Sequence, residues 1–467
     1  MVALGIYLAL LGIASTYALV HWRRAWMLMP LFSVLQDPVR KLTPNTPVWV
    51  SFLVVVLYAA IIFSARSAMN FELRDFGRRF GAIYTIVLAF IFLLFIAALN
   101  GVVTFGIENW RVPLISLITY LVPLLAAMFG YTWLQREESM MSFLKLYSVI
   151  TSIALLGTMA EYFRVQSRLL GMVAFSGDYI RHLPGIQIRL LSGIYRAPDV
   201  MSLHAATLTC IGAAMALRVG FGKQTLLWGG VATWGFVNCI LSGRRKALYF
   251  ILVFLAMFLW RYIRRVRPAE IFALLAVLGV QYGVIRHLSG DDSTSVYTRG
   301  AVATTEEFTA RFEGAAPDML VAFGLMGAGL GSATQGVKHL LIGPDVGWQA
   351  EGGLGKLAAE VGLPGILNLA LLGFVVIRML LKLTAHPDVR GSTQFIRVTL
   401  FGLVAANGAS FIASAQAYSD AVLALTFGFF VGCLFATAAL DERLVASEKA
   451  AGIAPPNEST ALTPVTA

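Results

Sequence analysis

The turn Ser242-Gly243-Arg244-Arg245-Lys246 sets three cations side by side between two apolar runs, 224–242 and 247–260, with almost no connecting loop. Three positive charges at a membrane face are costly unless an anion meets them. Guanidinium suits phosphate in particular, because its planar fork matches the oxygens two at a time. The turn is thus an external anion site if the spans alternate outward from Arg261–Arg267, and an ordinary cytoplasmic basic turn if one span is miscounted. A second basic stretch, Gly185-Ile-Gln-Ile-Arg189-Leu-Leu-Ser-Gly193-Ile-Tyr-Arg196-Ala-Pro198-Asp199, runs straight into an apolar helix. Asp199 can cap that helix and Pro198 would end the loop before it. The plain alternative is a helix start with solvated arginines.

Two later stretches also carry chemistry-bearing residues or unusual backbone. Phe323-Gly324-Leu-Met-Gly327-Ala-Gly329-Leu-Gly331 is too glycine-rich for a stable span. It lacks the spacing of a dinucleotide loop and no strand precedes it, so it fits a tight turn or a close backbone approach. In Glu351-Gly-Gly-Leu-Gly-Lys356-Leu-Ala-Ala-Glu360-Val-Gly362-Leu-Pro364-Gly365, Lys356 and Glu360 lie one helical turn apart, the spacing of a structural ion pair. Such a pair leaves Glu351 unaccounted for. Glu351 ends a long loop and immediately precedes an apolar helix, which makes it either a helix cap or a general base.

The elements that must hold these residues are membrane helices. Of 467 residues, 58% are hydrophobic and 13% charged, with a mean hydropathy of +0.76, whereas soluble chains run at about 25% charged. Phenylalanine (31) outnumbers tyrosine (15) and tryptophan (9) together. Disordered, collagen-like and disulfide-rich classes are excluded by the same composition. A span needs about 20 apolar residues. Qualifying or nearly qualifying runs lie at 3–19, 47–65, 82–99, 113–134, 141–160, 200–217, 224–242, 247–260, 269–285, 352–381, 396–415 and 421–440. The expected fold is therefore all-α, a polytopic domain over 1–440 with about 12 spans, or 13 if the shorter apolar piece 25–36 also crosses. The first run has no basic leader and no clear cleavage site, and reads as a retained helix. Cys210, Cys239 and Cys433 fall in or beside spans, as helix-packing residues rather than ligands or a disulfide framework.

The net charge of +11 sets orientation rather than marking nucleic acid as a partner, because Lys and Arg stay on the cytoplasmic side. The block Arg261, Arg264, Arg265 and Arg267 is the inner anchor. Alternation then places Arg66, Arg74, Arg78 and Arg79, the Gln135–Glu138 turn, Arg218 and Lys223, and Lys382 and Arg390 on the same side. The polar segment 441–467, with Pro455-Pro456, is read as a disordered cytoplasmic tail. Two long segments, 161–199 and 286–351, face outward.

Taken in order, these motifs resemble the O-antigen ligase and polymerase superfamily of bacterial membrane glycosyltransferases. The family order is an external Arg, Gly and Pro segment entering a helix, a Ser-Arg turn, a large external loop ending in Gly-x-Gly-x-Gly, and a helix with Glu-x-Gly-x-Pro-Gly. Here those are Arg189…Gly193…Pro198, Ser242-Gly243-Arg244-Arg245, Gly327–Gly331 and Glu360-Val-Gly362-Leu-Pro364-Gly365. Gln36-Asp37-Pro38-Val-Arg40-Lys41-Leu-Thr-Pro44 looks like the exopolysaccharide members of the group. The resemblance covers roughly residues 25–440, carried by order and spacing rather than by any single motif.

The resemblance implies a multi-pass protein of the bacterial inner membrane that transfers a glycan from an undecaprenyl-pyrophosphate carrier to a glycan acceptor on the periplasmic face. Transfer would proceed with inversion and without metal or other cofactor. Arg189, Arg244 and Arg245, with Arg196 and Arg299 as further candidates, would meet the pyrophosphate as it gathers charge on leaving. Ligases of the family carry a His-Asn pair where this chain has Glu351-Gly352. Glu351 is the carboxylate substitute for that base, and the departure favours a polysaccharide polymerase, which can work with a chain-length regulator, over a lipid A-core ligase. The competing class is a transporter or flippase for a lipid-linked or anionic substrate. Against it stand the lack of two repeated halves and the concentration of ionisable residues in external loops rather than mid-span.

Overall fold

The computed structural model describes residues 2–173, 180–183, 186–219, 222–262, 279, 316–334, 352–385 and 391–450. Its long helices are α1 (Val2–Ala25), α2 (Met29–Leu42), α3 (Val54–Arg79), α4 (Gly81–Phe105), α5 (Arg111–Trp133), α6 (Glu137–Ala154), the short α7 (Leu156–Tyr162), α8 (Pro198–Val219), α9 (Lys223–Leu241), α10 (Arg245–Tyr262), α11 (Gly353–Ala385), α12 (Gly391–Ala413) and α13 (Ala421–Ala450). Among the described residues, nine segments are long and apolar enough to cross a membrane. The protein is a multi-pass membrane protein. The count differs from the expected 12 for two reasons. The runs 224–242 and 247–260 form helices of 19 and 18 residues outside those nine, and 269–285 lies outside the described residues apart from 279.

The apolar piece 25–36 runs back along the first helix. Tyr7 donates to Phe32 O at 3.1 Å, although residues 7 and 25 of one straight helix would be about 27 Å apart at 1.5 Å per residue. The helical backbone breaks at His21 (φ −125°, ψ +51°), and the chain beyond it, through a turn of 3₁₀ helix at Trp26–Leu28 into α2, folds back on the first part of α1. Just past this break Trp26 is buried among Phe129 of α5, Phe143 of α6 and Phe429 of α13, with ring centroids 4.7, 6.5 and 4.6 Å away. Lipid supplies no hydrophobic drive between helices, so close backbone packing must do it. Gly428 and Gly432 let α13 lie against α5: a Cβ there would fall 2.1 Å from Pro123 O and 1.8 Å from Ala127 O. Helix α8 occupies the middle of the bundle, buried along almost its whole length, and Cys210, Cys239 and Cys433 are all free and buried.

The contacts define two ends. At one, Arg79 pairs with Glu442 at 2.6 Å, Thr393 donates to Glu137, and Arg218 lies over the Phe395 ring. Residues expected to share the cytoplasmic side thus do share one end. At the other end lie the 189–199 loop, the 242–246 turn and the start of α13. The all-α class holds, and a hairpin lies within the long 161–199 segment: β1 (Ile180–Leu183) pairs antiparallel with β2 (Ile186–Arg189), Ile180 opposite Arg189 and Leu183 opposite Ile186. Outside lipid a backbone need not be helical to satisfy itself, and Ile180, Ile186 and Ile188 suit a strand.

Candidate anion-binding site

Pro198 starts α8, as proline does at a first helical position, where no N–H bond is lost. Asp199 follows in the first turn. Its carboxylate reaches across to the α9–α10 turn, with Oδ2 2.9 Å from Arg244 Nη2 and Oδ1 2.5 Å from Lys246 Nζ. The basic turn therefore faces the same end as the 161–199 loop. Gly243 makes the turn possible: its φ of +63° favours glycine, and a Cβ there would fall 2.4 Å from Leu190 Cδ2. The turn is thus pressed onto Leu190, the residue after β2. Arg245, half-buried, begins α10.

Four carboxylates stand among these cations. Glu161, at the end of α7, accepts from the backbone N–H of Ser192 (3.0 Å) and Gly193 (2.6 Å), and lies 3.9 Å from Arg189. Asp37 of α2 accepts from Arg196 N at 2.9 Å. Asp420 caps α13 through the N–H groups of Val422 and Leu423 at 2.9 and 3.1 Å, while its other oxygen binds the Arg196 guanidinium at 2.9 Å. Asp199 is the fourth. Lys41 of α2 donates to Leu169 O and Gly193 O at 3.1 and 2.8 Å, pinning the loop. Below the cluster the Tyr147 hydroxyl and His204 Nδ1 lie 2.8 Å apart, and Tyr195 stacks on His204 at 5.2 Å. Burial keeps the Tyr195 phenol protonated far above its ordinary range.

Five cations (Lys41, Arg189, Arg196, Arg244 and Lys246) thus gather around four carboxylates, an arrangement suited to receiving a further anion; Arg245 adjoins them in sequence at the start of α10. Not all are equivalent. The Arg196 guanidinium pairs with Asp420 and its backbone N–H with Asp37, so this candidate substrate contact also ties the loop to α2 and α13. Arg189 lies 3.9 Å from Glu161 and is more exposed, at 25%, than Arg244 (19%) or Arg196 (18%). The candidates Arg299 and Glu351 lie outside the described residues. Asp199 is engaged by cations rather than acting as the plain cap the sequence suggested.

Some of this was hidden. In the sequence the segment 36–41 reads as a motif, with nothing to mark Asp37 as a partner of Arg196. Asp420, immediately before the apolar run 421–440, carries the signature of a helix cap, but nothing local says that its second oxygen holds an arginine. Among the described residues no three His, Cys, Asp or Glu side chains are grouped to hold a metal.

A second polar site lies within the helices. Glu360 of α11 is fully buried. Its Oε1 accepts from Thr334 Oγ1 (2.6 Å), Gly331 N (3.1 Å) and Ser116 Oγ (3.2 Å), and its Oε2 from Tyr120 OH (2.8 Å). The expected Lys356 pair is only 3.9 Å close. The glycine-rich segment is laced to its neighbours by Leu330 N to Ala97 O (2.9 Å), Ala328 N to Ala359 O (2.8 Å) and Leu363 N to Leu325 O (2.8 Å). A Cβ on Gly329 would fall 2.2 Å from Gly101 N, the close backbone approach expected from its composition. Gly362, at φ +74°, kinks α11 where the segment docks. No family model matches the sequence, and no curated protein matches it.

Proposed function

We propose that this chain is a bacterial inner-membrane glycosyltransferase that polymerises undecaprenyl-pyrophosphate-linked glycan units on the periplasmic face during surface polysaccharide synthesis. The observation that supports it most is the gathering of Arg189, Arg244 and Lys246 near the start of α8, three cations on the two carboxylates Glu161 and Asp199. A lipid pyrophosphate gathers negative charge as its sugar bond breaks. Cations held in place before the reaction stabilise that charge more in the transition state than in the ground state. The guanidinium forks of Arg189 and Arg244 would take the pyrophosphate oxygens in pairs. Glu351 is the proposed base that accepts the proton of the attacking acceptor hydroxyl.

The test is in cells carrying the gene as its sole copy. Arg189→Ala, Arg244→Ala and Arg245→Ala should each abolish polymer, consistent with the ~10²–10³-fold loss expected per preorganised donor, while the protein stays in the membrane. Lysine at the same positions should restore part of the activity, since a point charge lacks the fork. Normal polymer from all three alanine variants would sink the proposal. Glu351→Gln should remain folded and make no polymer. Orientation is tested by Phe175→Cys and Ala310→Cys, which an impermeant thiol reagent should label from outside; the native cysteines are buried and give little background.

A further inference from the structure

The cation cluster already contains an anion that competes for its donors. Glu161, Asp37 and Asp420 all accept backbone N–H bonds, which fix them in place. Asp199 spans the gap to the basic turn and sets one oxygen on Arg244 and the other on Lys246. Its side chain is 14% accessible, against 6% for Glu161 and 2% for Asp420. It is thus a more accessible carboxylate than these, resting on donors that a phosphate would use.

We propose that Asp199 is a built-in competitor of the lipid diphosphate, covering Arg244 and Lys246 when the site is empty and moving aside when a diphosphate enters. This rests on the reading of the cluster as a diphosphate site. The exchange is favourable because a diphosphate brings more charge and more acceptor oxygens to the same donors than one carboxylate. Displacement costs Asp199 little, since it lies in the first turn of α8, where unpaired N–H groups and the helix dipole favour a carboxylate. The two cations are never left buried without an anion, a state that would cost several kcal/mol. The consequence falls on release. Glycan transfer leaves a lipid diphosphate behind, and cations with no internal rival would hold it. The returning carboxylate lowers that affinity and clears the site.

The experiment uses the full chain in nanodiscs, titrated with inorganic pyrophosphate in a calorimeter. Asp199→Asn keeps the shape and removes the charge. It should bind pyrophosphate on the order of tenfold more tightly than the wild type, the worth of one charge-assisted contact. A merely structural role would weaken binding or leave it unchanged, so a gain is diagnostic. Asp199→Asn binding no tighter than wild type, while Arg244→Ala loses binding, overturns the competitor and leaves the anion site standing. No binding by wild type and by Asp199→Asn overturns both. Should Asp199→Asn fail to fold, Lys246→Met and the charge-balanced Asp199→Asn/Lys246→Met replace it. The double variant should bind more tightly than Lys246→Met alone, and equal affinities would refute the competitor.

Discussion

Glu360 and Asp199 are both carboxylates set among donors, and they are used in opposite ways. Glu360 is sealed within the helices, and the hydroxyls of Thr334, Ser116 and Tyr120 and the N–H of Gly331 converge on it. Those donors come from the glycine-rich segment and from α5, so the carboxylate ties an irregular stretch of backbone to two helices. Non-helical backbone at membrane depth survives only where protein satisfies it. Asp199 instead meets two cations, Arg244 and Lys246. One carboxylate is spent on holding the structure; the other stays exchangeable. Full satisfaction by short, neutral donors marks the first kind, and an excess of opposite charge marks the second.

The comparison breaks most easily at Glu360. Glu360→Ala should cost on the order of 3–5 kcal/mol, because it strands several buried donors at once. Glu360→Gln, which keeps one acceptor oxygen, should cost less. Thermal unfolding in detergent reads both, and a wild-type midpoint for the alanine variant would remove the distinction. Arg196→Ala comes next. It leaves Asp420 and Asp37 buried beside a missing guanidinium and should cost about 3 kcal/mol, with Lys at that position recovering part of it. If Arg196→Ala instead folds normally and loses only polymer, Arg196 belongs with the substrate contacts. Arg244→Ala should lie at the far side of the comparison. Lys246 still holds Asp199, so the unfolding midpoint should move by the equivalent of about 1 kcal/mol or less, while polymer disappears.

How far the sequence reaches differs between the two regions for a physical reason. Hydropathy and basic residues disclosed the helices, and alternation placed Arg79, Glu137 and Arg218 at one end, because span length and charge are local properties. The turn at Ser242–Lys246 was legible for the same reason. Pairing across the bundle was not. Asp37 meets Arg196 and Asp420 meets the same arginine only once α2, α8 and α13 are assembled, and no spacing within α2 or before α13 encodes it. The doubling back of α2 onto α1 escaped too, since the helix breaks at His21, with neither Gly nor Pro there to mark the bend. Glycine content correctly signalled a close approach at 324–331, yet gave no hint that Ala97 and Ala359 were the backbones approached.

The smallest effect is expected where local spacing made its most confident statement. Lys356 and Glu360 sit one helical turn apart, and an ion pair is the natural inference from sequence. In the structure the pair is 3.9 Å long, while Lys356 Nζ also lies 5.0 Å above the Tyr120 ring, whose hydroxyl donates to the same carboxylate. Shorter bonds to Glu360 come from Thr334, Tyr120, Gly331 and Ser116, so its charge does not depend on the lysine. Desolvating an ammonium offsets most of what a long ion pair gains, and an apolar replacement of similar volume is often neutral. Lys356→Met should therefore change stability by about 1 kcal/mol or less, whereas Tyr120→Phe, which strips one of the short bonds, should cost about 1–3 kcal/mol. The order of these two variants in one unfolding series decides the matter. A lysine variant that destabilises more than Tyr120→Phe would return Glu360 to the role of an ion-pair partner, with the glycine-rich segment merely packed against it.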